Sequence, residues 1–141
     1  MVDGIGDPAA RERLLAGIEP SRAGEHHALL RAVFAAEVED RKAGGGGEYF
    51  ENLYWCAYLL YHVGDPSDVP MMWRAKHLDF DTACGFDVQF MLGAGARRTL
   101  DHLASTGHDD VARALSEYPE LDEDPREWAA FRHGYFYDQA G

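Results

Sequence analysis

Leu60-Tyr61-His62-Val63-Gly64-Asp65-Pro66-Ser67-Asp68-Val69 is a helix stop followed at once by a helix start. Gly64 takes the position after a helix C-terminus, where a left-handed backbone suits glycine. Asp65 then offers an N-cap and Pro66 a first-turn residue that needs no N–H partner. A second stretch, Leu103-Ala104-Ser105-Thr106-Gly107-His108-Asp109-Asp110-Val111, follows the same pattern after one deletion. Both place leucine four residues before glycine and Asp-Val shortly after it. Two helical hairpins are therefore expected, joined at Gly64-Asp65 and at Gly107-His108.

The helical pattern continues in both directions. On the N-terminal side, a helix runs from about Glu48 to Val63. Phe50, Leu53, Tyr54, Ala57, Tyr58, Leu60 and Tyr61 cover more than half its circumference, which marks a central, buried helix. Before it, Gly44 to Gly47 reads as a flexible connector, because four glycines held helical would lose too much entropy. An earlier helix starts near Ser21 or Arg22 and carries Leu30, Val33, Phe34 and Val38 on one face. The first helix runs from Pro8 to about Ile18, with Asp7 as its N-cap.

On the C-terminal side, Val69, Met72, Trp73 and Lys76 share a face. Residues 78–85 offer caps and turn formers rather than a period. Short helices are expected near Phe86 to Leu92, over Ala96 to Thr106 with Leu100 and Leu103 inward, and over His108 to Tyr118. An acidic loop spans Pro119 to Asp124. Pro125 opens a last helix carrying Trp128, Phe131 and Tyr135. No segment alternates as a strand would. The expectation is an all-α fold of about seven helices in a single domain over residues 1–141.

The glycines of the two hairpins lie 43 residues apart. That period, with the matched residues on either side of each glycine, resembles the HEAT and armadillo helical repeats over roughly Glu48 to Tyr118. The resemblance implies a short stack in which each hairpin covers its neighbour's apolar face. An irregular helical bundle meets the same pattern.

Bulk composition narrows the function. The chain has 141 residues, 46% of them hydrophobic, and a formal net charge of −12 from 25 acidic and 13 basic residues. Such a charge repels phosphate backbones and anionic headgroups, so nucleic-acid and membrane binding are disfavoured. It favours a basic partner; solubility alone is the plainer explanation. Cys56 and Cys84 form no metal-ligand spacing and no disulfide framework, so a reducing compartment is expected. The Met1-Val2-Asp3-Gly4 start lacks the basic and apolar regions of a signal peptide, which points to the cytoplasm.

The richest polar segment runs from Trp73 to Asp87. Trp73, Lys76, His77, Asp79, Asp81 and Asp87 are the candidate binding residues, with the acidic stretch Glu117 to Glu127 second. His77, Asp79, Asp81 and Cys84 are the alternative centre, for a small enzyme or metal-binding protein. His-x-Asp-x-Asp lacks the glycine and terminal glutamate of a calcium loop, however, and helix capping explains the aspartates equally. Cys84 near a helix start and His77 form the one tempting nucleophile pair. His26, His27, His102 and His108 read as surface histidines, and no Glu-x-x-His pair of a di-iron bundle is present. No cofactor or resident metal is expected.

The run Asp68 to Lys76, with Asp79-Phe80-Asp81, Cys84-Gly85-Phe86-Asp87 and Gly93-Ala94-Gly95, is similar to small helical proteins of bacteria, among them immunity proteins of toxin systems. That resemblance implies a non-enzymatic protein binding a basic partner, such as a toxin.

Overall fold

The computed structural model describes residues 5–44 and 47–138. The start of the chain and Gly45 and Gly46 of the expected connector lie outside the described residues. The described chain is all-α and contains no strand. None of its helices is long and apolar enough to cross a membrane. It divides into two compact units, residues 1–63 and 64–141.

The first unit holds α1 (Pro8–Ala16), α2 (His27–Lys42) and α3 (Asn52–Val63). Two 3-10 turns, Pro20–His26 and Gly47–Tyr49, stand where sequence periodicity extends α2 and α3 further toward their N-termini. Gly24 and Gly47 weaken the longer helical spacing at these points. α3 packs on α2, on the Pro20–His26 turn and on α1. It is the most buried helix of the unit, with Leu53, Tyr54, Cys56, Ala57, Tyr58, Leu59 and Leu60 all inside. Phe50, expected on the same inward set, is instead 46% exposed, because it precedes the helix and does not follow its spacing. Cys56 Sγ donates to Leu30 O at 3.2 Å, tying α3 to α2.

A polar network sits inside this apolar frame. Arg11 of α1 is 1% exposed. Its Nε donates to Glu37 Oε2 of α2 at 2.6 Å, Nη2 pairs with Asp40, and Nη1 donates to Ile5 O. Asn52, at the start of α3, donates to Glu37 Oε2 at 3.1 Å and to Pro8 O at 3.0 Å. Burial opposes the charge on Arg11. The hydrogen bond and charge of Glu37, with those of Asp40, more than offset this and hold the guanidinium above its ordinary pKa.

The second unit holds α4 (Val69–Lys76), α5 (Phe80–Gly85), α6 (Ala96–Ser105), α7 (Asp109–Ser116) and α8 (Arg126–Tyr137), with 3-10 turns at Pro66–Asp68, Val88–Met91 and Pro119–Asp122. The helix expected near Phe86 to Leu92 is thus a single 3-10 turn, and the acidic loop after Tyr118 contains another. α6 packs on α7 and on the Pro66–Asp68 turn, and α4 packs on α5 and the Val88–Met91 turn. Inside α6, Leu103 and Thr99 are fully buried, whereas Leu100 is half-buried.

The two glycine junctions are formed as expected. Gly64 and Gly107 have φ of 73° and 84°, and the leucine before each and the valine after each are buried. At the second junction His108 N donates to Leu103 O at 2.9 Å, the six-to-one bond of a Schellman cap. Asp65 accepts from Ser67 N at 2.9 Å, capping the turn that leads into α4. α6 and α7 lie in one unit, whereas α3 and α4 lie on opposite sides of the unit boundary at Gly64. A Cβ at position 107 would meet nothing within 4 Å, so a substitution there tests backbone conformation alone. Gly107→Ala is expected to cost about 1–2 kcal/mol and Gly107→Asn less, read as the shift in urea midpoint.

Candidate functional site

The segment from Trp73 to Asp87 is built around α5, a helix of six residues. A helix that short has too few internal bonds to hold itself. Asp79 secures its first turn, accepting from Thr82 N at 2.7 Å. Lys76 secures its end: Nζ donates to Ala83 O and to Phe86 O, both at 2.6 Å. Sequence reading placed only caps and turns over residues 78–85. The helix exists there because two side chains, one of them from α4, complete it.

This arrangement sorts the candidate residues. Lys76 is 7% exposed and its ammonium faces inward, so it does not belong to an open binding face. Desolvation holds it below the ordinary lysine pKa, opposed by the charges of Asp87, Cys84 and Glu120. Asp87 likewise turns to internal partners, accepting from Trp128 Nε1 at 2.9 Å and from Arg132 Nη2 at 2.8 Å. Trp73 is half-buried, with its ring 4.4 Å from that of His77. Trp73 O accepts from His77 Nδ1 at 2.8 Å. His77, Asp79 and Asp81 are exposed around Phe80, which is 80% exposed. What remains on the surface is therefore an aromatic tip with acidic flanks. Cys84 is exposed and Cys56 buried, both as free thiols. Among the described residues, no three His, Cys, Asp or Glu side chains are grouped to hold a metal ion. His77, Asp79, Asp81 and Cys84 are accordingly not gathered into such a site.

A second surface is more enclosed. The Pro119–Asp122 turn and the start of α8 flank a cleft of about 540 Å³, lined by Gln89, Glu120, Glu123, Asp124, Pro125, Glu127, Trp128 and Phe131. The acidic composition of Glu117 to Glu127 pointed here; the aromatic wall did not show in the pattern. Sequence reading placed Trp128, Phe131 and Tyr135 on α8 without assigning its inward face. Its buried residues are Arg132 and Phe136, and Phe131 is 63% exposed. The charge of Arg132 is tolerated inside because Asp87 neutralises it and the rings of Phe90 and Phe136 lie 5.0 and 5.6 Å from the guanidinium carbon. Burying arginine on that face rotates Phe131 and Glu127 toward the cleft.

Within the cleft, Trp128 is fixed at both ends. Its indole N–H is bound by Asp87, and its ring meets the ring of Phe90 edge-on at 5.1 Å. Asp124 is engaged by Arg126 at 2.6 Å, whose hydrogen bonds hold the Asp124 carboxyl below the usual range. Glu120 Oε1 is buried and accepts no hydrogen bond among the described residues. Comparison with protein-family models, with curated proteins and with solved structures finds no match.

Proposed function

We propose that this chain is a non-enzymatic binding protein that grips a basic partner protein through an acidic, aromatic-bearing surface. The observation that carries the reading is the cleft beside α8. It sets carboxylates around two aromatic side chains, in a chain whose net charge is −12. Carboxylates steer a basic surface into place, while a fixed aromatic supplies desolvated contact area at little entropic cost. The exposed Phe80 between Asp79 and Asp81 repeats this chemistry on the other candidate surface.

An immunity-like role is the specific form we favour, with the partner a toxin of basic surface. The 43-residue spacing of the two glycine junctions supports a HEAT-like origin for the scaffold. A pulldown at low salt from the native host is expected to recover a basic partner. The Glu123→Gln/Glu127→Gln variant should not retain it. Binding should weaken steeply as ionic strength passes about 0.15 M, where the Debye length is about 8 Å. Recovery of no partner at low salt, or of one indifferent both to salt and to the two substitutions, would sink the reading.

A further inference from the structure

We infer that the cleft between the Pro119–Asp122 turn and α8 is an arginine-recognition site, receiving one guanidinium of the basic partner. This inference rests on the partner-binding reading and names the chemical group that the cleft selects.

Three observations converge on a guanidinium. The first is a missing donor. Glu120 lines the cleft, and its Oε1 accepts no hydrogen bond among the described residues. A cationic donor entering the cleft can pair with this carboxylate without displacing an existing partner. The second is the wall. Trp128 is immobilised by Asp87 and Phe90, and Phe131 lies one helical turn further along α8 on the same side. Flat apolar walls favour a flat, weakly hydrated cation over a compact, strongly hydrated one, which selects guanidinium over ammonium. The third is size and charge. A volume of about 540 Å³ suits an extended side chain with adjoining backbone, not a bare ion. The metal alternative also lacks a group of three ligands among the described residues.

The lining carboxylates divide by availability. Asp124 is neutralised by Arg126, whereas Glu120, Glu123 and Glu127 show no ion pair among the described residues. Glu120 also acts at longer range on the buried ammonium of Lys76. The planar fork of an arginine donates up to five N–H bonds and can therefore serve Glu120 and a rim carboxylate together. The same unit already handles one guanidinium in this way: Arg132 lies over Phe90 and is paired with Asp87.

The test uses blocked Gly-Arg-Gly, Gly-Lys-Gly and Gly-citrulline-Gly tripeptides, titrated into the full chain while the indole N–H resonance of Trp128 is followed. Trp128→Phe assigns that resonance. The arginine peptide is expected to shift it saturably, with the lysine peptide weaker and the uncharged citrulline peptide at least about tenfold weaker. Glu120→Gln and Phe131→Ala should each weaken the arginine peptide at least about fivefold. Phe131 is exposed, so Phe131→Ala decides the matter even if Glu120→Gln disturbs folding. Equal binding of the arginine and citrulline peptides, no saturable shift with the arginine peptide, or indifference to Phe131→Ala overturns the assignment. A pulldown partner that is still retained in that event leaves the broader reading standing and places its contact elsewhere.

Discussion

Arg11→Met is expected to lower the unfolding free energy of the first unit by about 3–5 kcal/mol. Methionine keeps the length and apolar stem of arginine, so packing against α2 and α3 changes little. What changes is the charge balance. Glu37 is 4% exposed, and Arg11 is its ion-pair partner. Without the guanidinium, a buried carboxylate keeps only the neutral donor of Asn52. Asp40 and the carbonyl of Ile5 lose donors as well. Since whole domains are stable by about 5–15 kcal/mol, a loss of this size removes a large part of the total.

A double variant identifies the cause. If the penalty is an orphaned buried charge, Arg11→Met/Glu37→Met should recover more than half of the loss, because apolar replacement of a whole buried pair is often nearly neutral. If it is lost packing, the two losses should add. Trp55 is the one tryptophan among residues 1–63, so its fluorescence in urea follows this unit. A single-variant loss below about 1 kcal/mol would show that water reaches Glu37 and that the network is not closed.

How much of this was legible in the sequence depends on which kind of interaction decides each element. Gly64 and Gly107 were readable because a positive φ after a helix is a local requirement that glycine meets by itself. α3 was readable because its apolar residues are dense enough to be buried in any orientation. α5 was not, since its ends are fixed by Asp79 and by Lys76, and the second of these reaches it from another helix. The inward face of α8 was not readable for a related reason. An arginine scores as a surface residue until Asp87, 45 positions away in the chain, neutralises it. The candidate site was hidden for the same reason. Acidic composition drew attention to Glu117 to Glu127, but the aromatic wall depends on Arg132 being the residue turned inward. Lys76 and Asp87 were singled out as binding residues because their charges stood out. The same charges serve the interior, where they satisfy carbonyls and an arginine.

Lys76→Met is the second substitution expected to have a large effect, about 2 kcal/mol of lost stability at neutral pH. Two terms oppose each other. Removing a desolvated ammonium relieves a burial penalty. Against this, Ala83 O and Phe86 O lose the donor that Lys76 supplies to both, at about 1–3 kcal/mol for each buried acceptor left unsatisfied. Two carbonyls outweigh one relieved charge, and the ammonium's contact with the Tyr118 ring at 5.9 Å is lost as well. The loss should be concentrated at α5, whose amide protons should exchange faster before the rest of the unit responds. The pH dependence separates the two terms. Burial holds Lys76 below its ordinary value of 10.5, so the folded chain releases this proton at a lower pH than the unfolded chain does. Between the two values the unfolded state binds more protons, and this group's contribution to stability therefore rises with pH. The penalty is present in full below the folded pKa and is relieved as pH climbs toward 10.5. Urea midpoints measured from neutral to alkaline pH should thus show a rising contribution in the native chain that the Lys76→Met chain lacks, widening the gap between them. A gap that narrows with pH would mean that the ammonium form is favoured by the interior, and that its charge rather than its hydrogen bonds closes α5.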